Sequence, residues 1–190
     1  IMLEGGKMFI QTESTPNPAT MKFLPGIEVM PIGTVNFLTA EDAVKSPMAQ
    51  ALFGIDGVVG VFLGSDFITV TKANDWLWDT LKPLILSCIM EQFQSGRPVV
   101  EACDSDGVKG EDEDDELVVQ IRELIDTRVR PAVAQDGGDI VYKGFEDGIV
   151  YLHMQGACAG CPSSTQTLKY GIENMLRYYV PEVQEVRAVE

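Results

Sequence analysis

Two cysteines stand three positions apart in Gly156-Ala157-Cys158-Ala159-Gly160-Cys161-Pro162-Ser163-Ser164. Soft thiolates select zinc, copper(I) or iron–sulfur clusters, and a two-residue gap lets both sulfurs face one way. Ala157, Ala159 and Gly160 leave room for a bulky group against the backbone, and N–H groups in such a loop can donate to cluster sulfides. Cys161 directly precedes an expected helix N-terminus, whose partial positive charge favours thiolate. The same features serve a dithiol redox pair. On spacing alone, metal or cluster binding, redox chemistry and no special role all stay open.

Two thiolates do not close a four-coordinate site. His153, the single histidine, lies in an expected strand and reads most simply as half-exposed, with nothing to orient it towards the sulfurs. Cys88 falls on the apolar face of a long helix, an ordinary place for a buried thiol. Cys103 sits in an acidic stretch and reads as an incidental exposed thiol. Two copies of the loop across a two-fold axis are the simplest source of four thiolates.

The elements that must position this loop form two segments. In Met8–Gly96, short strands are expected at Phe9–Thr12 and Met21–Leu24, with Thr15-Pro16-Asn17-Pro18 turning between them. A further strand is expected over Val29–Phe37, interrupted by Pro31 and Gly33, then helix at Ala40–Val44. Ser46-Pro47 reads as an N-cap followed by proline at the first helical position. Val58–Leu63 and Phe67–Thr71 form a hairpin around Gly64-Ser65-Asp66. A helix over Asp75–Gln94 aligns Trp78, Leu81, Ile85, Cys88 and Ile89, and Gly96 stops it. In Leu117–Glu190, a first helix carries Leu117, Ile121, Leu124, Ile125 and Arg128 and ends near Arg130, before Pro131 or shortly beyond it. Asp136-Gly137-Gly138-Asp139 turns the chain. Ile140–Glu146 and Ile149–Met154 pair through Asp147-Gly148, a type I′ signal. A helix from Pro162 to Tyr179 buries Leu168, Ile172, Met175 and Tyr179, and a last strand follows. Both segments are therefore expected to be small α+β domains.

Arg97–Glu116 reads as the linker. Residues 101–116 carry nine acidic groups and one basic group, about half of the formal net charge of −15. Such a stretch repels itself, buries little, and is expected to be mobile. It also has the charge to steer basic partners. The net charge argues against nucleic acid and anionic membrane as partners, and no apolar run reaches the ~20 residues of a membrane span. Four cysteines at irregular spacing point to a reducing compartment rather than a disulfide framework.

Other chemistry-bearing residues have plainer readings. Asp136 and Asp139 suit turn hydrogen bonding better than acid–base catalysis. Gly137-Gly138 lacks the Lys-Ser/Thr of a phosphate loop. Trp76 and Trp78 read as helix packing, with a partner anchor as the alternative. No nucleophile–base pair is apparent, so a non-enzyme is expected.

Several motifs then converge. Asp126-Thr127-Arg128-Val129-Arg130-Pro131, Gln135-Asp136-Gly137-Gly138-Asp139, Gly144-Phe145 and the cysteine loop resemble the C-terminal domain of NifU-type iron–sulfur scaffold proteins. Phe9-Ile10-Gln11-Thr12, Thr15-Pro16-Asn17-Pro18, Lys22-Phe23, Pro25-Gly26, Ser46-Pro47 and Phe67-Ile68-Thr69-Val70-Thr71-Lys72 resemble the N-terminal domain of Nfu proteins. The resemblance implies a [4Fe-4S] cluster held between two protomers through Cys158 and Cys161, one cluster per two chains. It implies upstream cluster-assembly proteins as donors. It implies apo iron–sulfur proteins as recipients, such as lipoyl synthase and aconitase- or respiratory-chain-type proteins. It implies partner recognition by the N-terminal domain, and a mitochondrial matrix or bacterial cytoplasmic location. Cys103 is not part of the family's core pattern. The rivals for the same cysteines are a thiol-disulfide oxidoreductase and a structural zinc site.

Overall fold

A computed structural model of the chain describes residues 9–31, 33–101, 116–159 and 162–189. They form two compact units, 9–101 and 116–189, each with its own hydrophobic core. Both mix helix and sheet, as the α+β expectation requires.

The first unit is a five-stranded antiparallel sheet in the order β1-β2-β5-β4-β3. Strand β1 (Gln11–Ser14) lies two residues later than expected, because it is aligned by β2 (Thr20–Leu24), with Gln11 opposite Leu24 and Ser14 opposite Met21. The turn between them is held by side chains: Asn17 Oδ1 accepts from the Ala19 N–H at 3.0 Å, and Thr15 Oγ1 donates to the Asn17 carbonyl at 2.8 Å. The strand expected over Val29–Phe37 shrinks to β3 (Val35–Phe37). Upstream of it, the N–H groups of Val29 and Met30 both donate to the Ser65 carbonyl, and Gly33 is left-handed at φ +72°, so the segment cannot stay in the sheet. The helix expected at Ala40–Val44 is a single 3-10 turn, Asp42–Lys45.

Helix α1 (Pro47–Phe53) starts as expected, with Ser46 Oγ accepting from the Ala49 N–H at 3.1 Å. Strands β4 (Val58–Leu63) and β5 (Ile68–Lys72) pair as a hairpin. Helix α2 (Trp78–Gln94) begins three residues after Asp75 because Leu77 is extended, and it buries Leu81, Ile85 and Ile89. The expected linker start is corrected too. Ser46 Oγ donates to the Val99 carbonyl at 2.6 Å and the Glu101 N–H donates to the Lys45 carbonyl at 2.7 Å. Val99 and Val100 pack on the first core, so 97–101 belongs to that unit. The acidic run 111–115 lies outside the described residues.

The second unit begins with α3 (Glu116–Leu124), passes through a wide π turn (Ile125–Val129), and continues as α4 (Arg130–Gln135). The helical path therefore runs through Pro131 to Gln135, the further of the two ends expected. The Arg130 N–H bonds to the Ile125 carbonyl, five residues back, which opens a new first turn where a missing proline N–H is tolerated. Strands β6 (Gly138–Glu146) and β7 (Ile149–Gly156) form the expected hairpin, with Asp147 and Gly148 both at positive φ, 50° and 78°. Helix α5 (Pro162–Tyr179) then crosses over to β8 (Glu185–Val189), which pairs with β7 in parallel, giving the order β6-β7-β8. The buried stripe of α5 is Ile172 and Leu176, followed by Val180. Tyr179, expected inside, is 39% exposed, because the i, i+4, i+8 row from Ile172 passes through Leu176 and Val180 instead.

The β7-α5-β8 crossover fixes where the cysteine loop stands. It follows the C-terminal end of a parallel strand and precedes a helix N-terminus, the position at which such units build their ligand sites.

Candidate functional site

Cys158 is 6% exposed and packs with the second core. Its backbone is held at three points. Its own N–H donates to the Gln155 carbonyl at 3.3 Å, and the next N–H, of Ala159, donates to the Gly156 carbonyl at 3.1 Å. Its carbonyl accepts from Thr165 Oγ1 at 2.9 Å. Gly138, paired with Gly156 across β6 and β7, gives the sulfur its room: a Cβ there would lie 2.4 Å from Cys158 Sγ and 2.9 Å from the Gln155 carbonyl oxygen.

Next to Gly138, Asp139 is buried, and it is more than a turn residue. Its carboxylate takes both arms of the Arg130 guanidinium, Nε at 2.9 Å and Nη2 at 2.8 Å, and also accepts the Ile140 N–H at 2.8 Å. Arg130 reaches Asp126 as well, at 3.3 Å. The pairing with Asp139, first by hydrogen bonding, holds the guanidinium firmly protonated. A buried charge so satisfied is tolerated, and it pins the start of β6 to α4.

Burial pushes the Cys158 thiol up to about 12, and the Asp136 and Asp139 charges add to the effect. The metal-free loop thus holds a protonated thiol and must lose that proton to bind metal. Cys161 and Cys103 lie outside the described residues. Cys88 is on α2 in the first unit, half-buried, with its thiol raised to about 11 by burial and then by Glu91. His153 is half-exposed on β7, opposite Val141 and Val189, and burial and Lys143 lower its pKa. Among the described residues no three His, Cys, Asp or Glu side chains gather to hold a metal ion. Among the described residues the cysteine loop contributes one thiol, that of Cys158.

Thr165 and the Arg130–Asp139 fork were not read from sequence. Their signals are present but weak: a hydroxyl seven residues after Cys158, and an Arg-Pro pair nine residues before a Gly-Gly-Asp turn. Trp78 packs as expected and also donates its indole N–H to the Pro18 carbonyl at 3.1 Å. An open depression of about 610 Å³ lies on the first unit, with Phe9, Leu24, Ile27, Glu28 and Asp66 in its lining. No described helix is long and apolar enough to cross a membrane.

The sequence corresponds to a known class. The sequence profile described as "Scaffold protein Nfu/NifU N terminal" matches residues 10–96, and that of the "NifU-like domain" matches residues 121–187. The chain belongs to the Nfu/NifU family of scaffold proteins, which are not enzymes. It is 55% identical over 183 residues to the human protein named "NFU1 iron-sulfur cluster scaffold homolog, mitochondrial", covering 96% of this chain and 72% of that one. It is 54% identical over 186 residues to "NifU-like protein 5, mitochondrial" of Arabidopsis thaliana, covering 94% and 67%. Among solved structures, the solution structure of a NifU-like protein from Saccharomyces cerevisiae matches 53% of this chain and 90% of its own, at 25% identity and a TM-score of 0.48.

Proposed function

We propose that this chain is an iron–sulfur cluster scaffold and carrier that holds one [4Fe-4S] cluster between two protomers, each giving Cys158 and Cys161. The observation that carries the reading is Cys158 itself: a buried thiol in a loop of small residues, placed between a strand end and a helix start. One loop supplies two thiolates, and a cubane needs four, so two chains complete the set. Release begins when a recipient's thiolate bonds to an iron and a Cys158 or Cys161 thiolate leaves it, taking up a proton. The cargo comes from upstream assembly proteins. It goes to apo-proteins late in cluster assembly, with lipoyl synthase and aconitase- or respiratory-chain-type proteins as the recipients the family resemblance implies. The location is the mitochondrial matrix in a eukaryote, in keeping with the names of the human and plant relatives. In a bacterium it is the cytoplasm. The first unit has no cysteine motif and serves recognition; its open depression, lined by Phe9, Leu24 and Ile27 together with acidic Glu28 and Asp66, supports that role.

Anaerobic loading with iron and sulfide tests the proposal. About four irons and four sulfides per two chains are expected, with a brown chromophore and a dimer mass. Cys158→Ser and Cys161→Ser should each abolish it. A loaded protein that stays monomeric and colourless sinks the reading, and one zinc per two chains revives the structural-zinc alternative.

A further inference from the structure

Thr165 lies in the first turns of α5 and is half-buried. Its hydroxyl donates to the Cys158 carbonyl across a seven-residue separation. A trans peptide is rigid and planar, with its C=O and N–H pointing opposite ways. The plane joining Cys158 to Ala159 is therefore pinned at both ends, by Thr165 at the oxygen and by Gly156 at the nitrogen. The Gly156 bond is local to the turn. The Thr165 bond fastens the loop to the helix, tying Cys158 to a residue seven positions further on.

We infer that Thr165 is a positioning residue: its hydroxyl holds the Cys158 backbone against α5 and sets how firmly that cysteine keeps its ligand. It touches no metal itself. Without this bond the carbonyl loses the Thr165 hydroxyl, the peptide plane is held less firmly, and the sulfur leaves its buried place more often. The consequence for cargo rests on the reading of Cys158 as a cluster ligand; the positioning itself does not.

The experiment uses the full chain in two states. In metal-free protein, alkylation of Cys158 by iodoacetamide is followed by peptide mapping, so that the other three cysteines do not interfere. Thr165→Val, equal in shape but lacking the donor, should expose Cys158 about threefold to tenfold, the span that one lost hydrogen bond supports. Thr165→Ser, which keeps the donor, should restore the wild-type rate. In cluster-loaded protein, the Val variant should show the wild-type visible spectrum and lose iron to a chelator faster by a similar factor, again restored by Ser. Equal alkylation in all three proteins overturns the inference. So does a Ser variant as labile as Val, which assigns the effect to the missing methyl and not to the hydroxyl. If wild-type protein takes up no cluster, the proposed function fails, while alkylation still decides the role of Thr165. If the Val variant does not fold, the Thr165 hydroxyl proton in wild-type protein decides it. A slowly exchanging resonance is expected, and rapid exchange with water overturns the assignment.

Discussion

Each unit holds a partly or wholly buried thiol with a raised pKa, Cys88 in the first and Cys158 in the second. Cys88 stands within a helix, beside Ile85 and Ile89 of one core. Its backbone is locked in the helical ladder, and its side chain fills space. Cys158 stands in a loop whose backbone is held by a turn and by one side-chain hydroxyl, with a glycine clearing the space at its sulfur. Burial and elevated pKa are common to both, so neither marks the site. What distinguishes Cys158 is a loop backbone outside a helical ladder and a glycine that leaves its sulfur room. The polar groups differ in the same way. In the first unit Thr15 and Asn17 organise a turn; in the second, Arg130 and Asp139 pin the strand that faces the cysteine.

The contrast is broken most strongly at Gly138. Gly138→Ala places a Cβ against Cys158 Sγ and against backbone that cannot yield. It should cost about 3 kcal/mol of second-unit stability and displace the cysteine, so cluster content falls with it. Gly144→Ala in the same strand meets nothing within 4 Å and should change stability by less than about 1 kcal/mol. Chemical denaturation of the pair reads the difference.

Arg130→Met comes next. It leaves the Asp139 carboxylate buried without its fork. Removing one partner of a fully buried pair costs about 3–5 kcal/mol. Because about a third of Arg130 is exposed, about 2–3 kcal/mol is expected here, as a drop in the melting temperature of the second unit alone.

A smaller effect separates the thiols by pH. Cys158 keeps its proton until about 12 in the metal-free protein, so metal uptake must release it. Rising pH therefore favours uptake. Zinc affinity measured by competition between pH 6.5 and 8.5 should climb roughly tenfold per unit for each thiol engaged. Cys88→Ala should leave that slope and the cluster content unchanged and cost the first unit about 1 kcal/mol or less. A slope that vanishes with Cys88→Ala would transfer the site to the wrong unit.

Much of this was legible before the fold was known. Asp147-Gly148 had to turn, because both residues take positive φ and only such residues do so cheaply. Ser46-Pro47 had to open a helix. These are local rules, acting over two to four residues. Less legible were the starts of β1 and α2, where cross-strand register and one extended residue moved the limits. Tyr179 was placed inside by a spacing drawn one residue wide of the row that the core selects. The run through Pro131 depended on a π turn that no residue type announces.

The sequence by itself determined the two α+β units, the cysteine pair and the family, since composition, periodicity and motif are carried by neighbours in the chain. Tertiary structure alone decided the parallel pairing of β8 with β7, which puts the loop at a strand-to-helix junction. It alone decided the Arg130–Asp139 fork, the clearance at Gly138 and the tie from Thr165 to Cys158. The reason is physical. A hydrogen bond or a close approach joins atoms by their distance in space, and residues seven to thirty-six positions apart acquire that distance only when the chain has packed.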